Sequence, residues 1–109
     1  MATLSVALTG NPNTGKSTIF NELTGIRQKI GNWPGVTVDK KVGYTKHKDR
    51  AISVMDLPGT YSINGRSPEE IIVENYLSGQ KPDIIVDVID SSNIEGNLFL
   101  CLQLLERRI

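Results

Sequence analysis

The chain has 109 residues, with 12 Lys and Arg balanced by 12 Asp and Glu, 39% hydrophobic residues and 22% charged ones. That length supports one globular domain with a real core and requires no disulfide or metal to staple it. A formal charge of zero gives no whole-molecule field to hold nucleic acid or an acidic membrane, so any anion is bound locally and no nucleic-acid partner is expected.

A single cysteine, Cys101, excludes an internal disulfide and suits a reducing compartment. The opening Met-Ala-Thr-Leu-Ser-Val-Ala-Leu has no basic leader and too short an apolar run for a signal peptide. Nowhere do apolar residues run to the roughly 18 to 20 that cross a bilayer, so this segment is expected to be soluble.

In chain order, Leu4 to Thr9 is a short apolar run stopped by Gly10, which predicts a buried strand. Lys16 to Thr24 carries Ile19, Phe20 and Leu23 at near-helical spacing, with Gly25 as a C-terminal stop, and predicts a helix. Gly31, Pro34 and Gly35 punctuate Ile26 to Gly35, which reads as a loop able to move. Val36 to Tyr44 alternates as a strand with one polar face, and Ala51 to Leu57 is a second strand. The polar Lys46-His47-Lys48-Asp49 between them predicts a hairpin turn.

Pro58, Gly59, Asn64, Gly65 and Pro68 mark another loop. Ser67-Pro68-Glu69-Glu70 supplies a cap, a first-position proline and first-turn acids, so a helix is expected over about Pro68 to Leu77. Pro82 to Asp90 holds Ile84, Ile85, Val86, Val88 and Ile89, the pattern of a parallel strand covered on both faces. Asn93 to Arg108 is helical, and Leu98, Leu100, Leu102, Leu104 and Leu105 predict that much of it is buried. The order is that of an α/β fold with one antiparallel strand.

The residues with chemistry begin at Gly10-Asn11-Pro12-Asn13-Thr14-Gly15-Lys16-Ser17, a phosphate loop directly after a predicted strand and before a predicted helix. Its glycines let successive N–H groups turn inward on an anion, and the helix N-terminus adds its positive end. Lys16 brings a mobile charge to the outer phosphates and Ser17 a hydroxyl to Mg²⁺. The Gly-x-Gly-x-x-Gly of dinucleotide-binding loops is absent. Asp56-Leu57-Pro58-Gly59 closes a second strand, where Asp56 can hold a Mg²⁺-bound water and the Gly59 N–H a terminal phosphate. Thr37, at the junction of loop and strand, is placed to close on Mg²⁺ and a γ-phosphate.

Gly10 to Ser17, then Gly31-Asn32-Trp33-Pro34-Gly35-Val36-Thr37-Val38, then Asp56-Leu57-Pro58-Gly59-Thr60-Tyr61-Ser62 resemble the cytosolic G domain of the ferrous iron transport protein B family. Asp90-Ser91-Ser92-Asn93 and the leucine-rich last helix extend the resemblance to the whole chain. It implies a P-loop NTPase, a Ras-like G domain of three α/β/α layers with a mostly parallel sheet. It also implies a switch I over about residues 26–38, a switch II over about 56–70, and GTP, GDP, Mg²⁺ and K⁺ as cofactors. The implied nucleotide contacts are Gly10 through Thr18, Gly35, Val36 and Thr37, and Asp56, Pro58 and Gly59, so that Asn11, Pro12, Asn13, Thr14 and Gly15 join Lys16 and Ser17 in the cradle. Lys16, Thr37, Gly59 and Asn13 are the implied catalytic groups; Ser17, Thr37 and Asp56 serve Mg²⁺, and Asn13 with the Gly31 to Trp33 carbonyls serves K⁺.

The resemblance further implies a location at the cytoplasmic face of the membrane and, as partner, a membrane domain of the same parent chain that moves Fe²⁺. Thr60 stands where many small GTPases carry the glutamine that orients water, so hydrolysis is expected to be slow without K⁺. The guanine-reading Asn-Lys-x-Asp motif is not among these residues, so the phosphate machinery would serve ATP as well. These 109 residues are therefore expected to be the N-terminal part of a G domain whose exposed sheet edge is covered by further chain or by a homo-oligomer. The alternatives are a module that binds nucleotide or a partner without hydrolysis, and an ATP-dependent P-loop enzyme. Trp33 is read as a cap over the nucleotide, Glu69 and Glu70 as first-turn acids rather than a base, and His47 as solvated. Lys40, Lys41, Lys46, Lys48 and Arg50 are read as a wet hairpin face, and Cys101 as a small core residue.

Overall fold

The computed structural model describes residues 3–12, 14–25, 27–63, 67–89 and 94–107, for 94–97 and 106–107 the backbone only. The chain runs β1 (Leu4–Gly10), α1 (Lys16–Thr24), β2 (Gln28–Asn32), β3 (Asp39–His47), β4 (Arg50–Asp56), α2 (Pro68–Gln80), β5 (Ile84–Val88) and α3 (Ile94–Arg107). The five strands form one sheet in the order β2-β3-β4-β1-β5. β1 is parallel to β4 and β5, and β3 is antiparallel to both β4 and β2, so a single strand opposes the rest.

Alternation along the central strands divides the core between two faces. Leu8 and Val54 meet Phe20 of α1 on one face. Ala7 and Met55 pack with Val73 and Leu77 of α2 and with Leu100 and Leu104 of α3 on the other. Ala7 and Leu8 are both fully buried, because β1 lies between two helical layers. Gly43 of β3 is needed where α1 crosses the sheet, since a Cβ there would lie 2.2 Å from Thr24 Cγ2.

Four expectations change. Gln28 to Asn32, expected within a loop, forms β2. It pairs with the outer edge of β3, whose N–H and C=O groups otherwise stay unpaired, and this outweighs the weak strand preference of Gly31. β3 begins at Asp39 rather than Val36, because Trp33 to Val38 makes a turn in which Gly35 has φ +77°. β5 is an edge strand with one face partly open: Ile84 and Val86, which share that face, are 43 and 40% exposed. α3 buries Leu100 and Leu104 but leaves Leu98, Phe99, Leu102 and Leu105 exposed, so only one stripe of that helix is covered.

Other local chemistry agrees with the sequence. Lys48 and Asp49 both have positive φ, making the two-residue type I′ turn whose twist suits a hairpin. Ser67 and Glu70 form a reciprocal capping box with Pro68 at the first turn, and α2 runs three residues past Leu77. Ile26, Asn64, Gly65 and Asp90 to Asn93 lie outside the described residues. No helix among the described residues is long and apolar enough to cross a membrane.

Candidate phosphate and magnesium site

Register brings Leu8 opposite Asp56 and Gly10 opposite Val88, so the carboxyl ends of three parallel strands open on one edge. That edge is where α/β sheets bind ligands. Gly15 caps α1 at φ +86°, a left-handed conformation that favours glycine. It provides no side-chain cap, so the first N–H groups of α1 keep their capacity to bind an anion. Thr14 Oγ1 donates to the Asn11 carbonyl at 3.0 Å and ties the loop across its own turn.

A cavity of about 520 Å³ lies over this loop, lined by Asn11, Pro12, Thr14, Gly15, Lys16, Ser17, Gly59 and Glu69. Lys16 and Asp56 are 9 and 6% exposed, and the Lys16 ammonium pairs directly with Asp56 Oδ1. The pair joins the start of α1 to the end of β4, the two elements expected to hold phosphate and Mg²⁺. Ser17 and Asp56 give an oxygen-only donor set beside the cradle, which fits Mg²⁺, a cation that takes few protein ligands and completes its shell with phosphate and water.

The loop after β4 is stitched to the phosphate loop. The Leu57 N–H donates to the Leu8 carbonyl at 3.1 Å and the Thr60 N–H to the Gly10 carbonyl at 2.9 Å. A Cβ on Gly59 would stand 2.9 Å from Pro12 Cα, so this residue is glycine because two backbones meet there. Thr60, the next residue, is 4% exposed.

The two neighbouring acids separate. Glu70 accepts from the Ser67 N–H at 3.3 Å and from the Ser62 hydroxyl, while Glu69 lines the cavity. Both read as first-turn acids in the sequence, yet Ser67-x-x-Glu70 assigns Glu70 to the cap and leaves Glu69 available to the cavity.

The stretch expected to serve as switch I stands apart from the cavity. Thr37 and Gly35 are exposed, and neither lines it. Gly31 is paired with Lys40 inside the sheet. Trp33 packs edge-on against Tyr76 of α2 at 6.1 Å between ring centres, with Lys40 Nζ 4.9 Å from its ring, so it covers α2 rather than the phosphate loop. Val36 and Trp33 line a second cavity of about 510 Å³ along α2. Thr18 is exposed on the first turn of α1, and Pro58 is half-buried beside Gly59. Asn13, expected to serve nucleotide and K⁺, lies outside the described residues.

One half-buried acid lies away from these loops. Asp87 of β5 accepts from Thr9 Oγ1 at 3.3 Å, and its Oδ2 has no hydrogen-bond partner among the described residues. Burial pushes its carboxyl above the usual range, against the smaller effects of Thr9 and Cys101. Burial also raises the Cys101 thiol, and the Asp87 charge raises it further.

The family model for ferrous iron transport protein B matches residues 4–109. The Fe(2+) transporter FeoB of Methanocaldococcus jannaschii is 51% identical over 106 residues, covering 97% of this chain and 16% of that protein. A Porphyromonas gingivalis Fe(2+) transport protein A/Fe(2+) transporter FeoB fusion protein is 49% identical over 104 residues, covering 94% of this chain and 12% of its own length. Thus the chain spans about a sixth or less of these relatives. Among solved structures, the G domain of the T. maritima FeoB iron transporter superposes with a TM-score of 0.91 at 47% identity, over 96% of this chain and 66% of that one. The cytosolic domain of that transporter in its GMPPNP form gives 0.90 at 48%, over 94% of this chain and 41% of the other. By sequence and by superposition alike, this chain belongs to the ferrous iron transport protein B family, within its G domain, and its three-layer α/β/α architecture is a P-loop NTPase fold.

Proposed function

We propose that this chain is the nucleotide-binding core of a GTPase domain whose GTP binding and hydrolysis control Fe²⁺ movement by the membrane part of a longer protein. The observation carrying this reading is the pairing of Lys16 with Asp56 at the mouth of the uncapped α1. A polyphosphate that takes Lys16 strips Asp56 of its counter-charge, and a buried carboxylate then needs a cation. Anion and Mg²⁺ are thereby recruited together, with Ser17 and Asp56 on the metal side and the Gly10 to Ser17 amides on the phosphates. The GDP and GMPPNP forms of the T. maritima relative support a guanine nucleotide.

For turnover, Thr37 has to leave its exposed position and reach the cavity, which requires the Trp33 to Val38 turn to rearrange. The Gly59 amide would meet the terminal phosphate. With Thr60 buried, water is oriented by backbone groups and Thr37, and hydrolysis is slow. Potassium held by Asn13 and the Gly31 to Trp33 carbonyls belongs to the same proposal.

Phosphate release from GTP by the longest soluble parent domain tests it, measured in KCl and in NaCl for wild type, Thr37→Ala and Asn13→Ala. The account expects K⁺-dependent release, lost in Thr37→Ala and made insensitive to the cation in Asn13→Ala. Absence of release in either salt leaves the non-hydrolysing module. Equal competition by ATP and GTP at the bound nucleotide points instead to an ATP-dependent enzyme.

A further inference from the structure

The zero net charge conceals a strong asymmetry. Residues 27–50 hold seven of the 12 Lys and Arg, and of the 12 acids only Asp39 and Asp49, so this stretch carries +5 and the remainder −5. At its tip Lys46, His47, Lys48 and Arg50 are all exposed. None of the three cations there is in an ion pair with a described carboxylate. Arg27 and Lys29, also exposed, extend the basic surface along the sheet edge.

The fold makes this tip a projection. β2 begins opposite Gly43, with the Tyr44 N–H still donating to the Arg27 carbonyl at 2.9 Å, and β1 starts opposite Ile52, so residues 45–51 form a two-stranded ribbon extending past both neighbouring strands. Tyr44 lies at the base of this ribbon at 42% exposure. Since Tyr44 and Lys46 share one face while His47 and Arg50 share the other, the cations point both ways from the ribbon and enclose no groove. The phosphate loop cannot use them. Arg50 and Asp56 stand at opposite ends of β4, six residue steps or about 20 Å apart at strand rise.

We propose that this ribbon is a docking surface for an anionic lipid bilayer. A broad negative plane matches cations projecting from both faces of a protruding hairpin, and Tyr44 is suited to the headgroup layer. Docked in this way, the domain keeps its phosphate cavity at the pole away from the lipid. The choice of lipid as partner rests on the reading that the parent chain is a membrane transporter.

The experiment sediments the chain with sucrose-loaded vesicles of phosphatidylcholine alone, or with about 30% phosphatidylserine, at low and high salt. Wild type is expected to bind only the phosphatidylserine vesicles and to release them at high salt. A Lys46→Glu/Lys48→Glu/Arg50→Glu variant is expected to bind on the order of a hundredfold more weakly, and Lys46→Gln/Lys48→Gln to fall between. Both variants should keep wild-type affinity for a fluorescent GDP, which shows that they are folded and that the distant cavity is intact. Equal binding to both vesicle types, undiminished binding by the charge-reversed variant, or capture of an RNA homopolymer in preference to phosphatidylserine overturns the proposal. Lipid binding without nucleotide binding by wild type would defeat the GTPase reading and leave this one standing.

Discussion

Separating Lys16 from Asp56 is the perturbation that most directly probes how the site is built. The two side chains are 9 and 6% exposed and close an ion pair between α1 and β4. Removing one partner of a fully buried pair costs about 3 to 5 kcal/mol, because it strands the other charge; replacing both with neutral groups costs far less. This pair borders an open cavity, which places each single change nearer 3 kcal/mol. That is a large share of the roughly 5 to 15 kcal/mol that holds a domain folded. Lys16→Met, Asp56→Asn and the double variant should be unfolded in urea without nucleotide or Mg²⁺, since a ligand selective for the folded state would add its own stabilisation. The expected result is a loss of about 2 to 3 kcal/mol in each single variant and a double variant well short of their sum, with a coupling of at least about 1.5 kcal/mol. Single variants within about 0.5 kcal/mol of wild type, adding simply, would refute the reasoning.

In the nucleotide-bound state, Asp56→Asn should make GDP affinity much less dependent on Mg²⁺, because no carboxylate is left to be neutralised; an unchanged Mg²⁺ dependence in a fluorescent-GDP titration would contradict this. Asp87 has its carboxyl raised by burial, so the folded state holds its proton more tightly than the unfolded chain does, and stability is lost as pH climbs from the ordinary carboxylate range through the raised value. Asp87→Asn should accordingly stabilise the domain at pH 7 and lose that advantage at pH below about 3.9, as thermal melts across pH will report. Gly59→Ala forces a Cβ to 2.9 Å from Pro12 Cα, and should lower nucleotide affinity and cost about 1 to 3 kcal/mol of stability; affinity and melting temperature equal to wild type would show that the two loops do not meet. Trp33 is the chain's one tryptophan and rests on Tyr76, so its emission should change when a GTP analogue draws Thr37 inward and should be insensitive to the analogue in Thr37→Ala.

Much of the site was readable from local chemistry. Gly10 to Ser17 and Asp56 to Gly59 each combine a strand end with glycines at positions where backbone must approach backbone, and the structure brings both onto one cavity edge. Ser67, Pro68 and Glu70 announced α2 because capping is decided within four residues. What escaped was decided at a distance. β2 has four exposed residues of five, so it carries no hydrophobic period, and it exists because β3 offers an unpaired edge. The apolar run of β5 promised two covered faces, but covering depends on neighbours that its own residues do not encode. Trp33 was drawn to Tyr76, over 40 residues away, rather than to the nearer phosphate loop. Asp87 and Thr9 escaped for the same reason, since only the β1–β5 register brings them together.

The central claim is that the amides of residues 10–17 and the Lys16 ammonium grip a nucleotide polyphosphate. Titration of fluorescent GDP with Mg²⁺ into wild type and Lys16→Ala, each verified as folded by circular dichroism, tests it most directly. Saturable binding by wild type, weakened at least about a hundredfold by Lys16→Ala, is the expected result. Equal affinity in the two proteins, or no saturable binding by a folded wild type, would contradict the account.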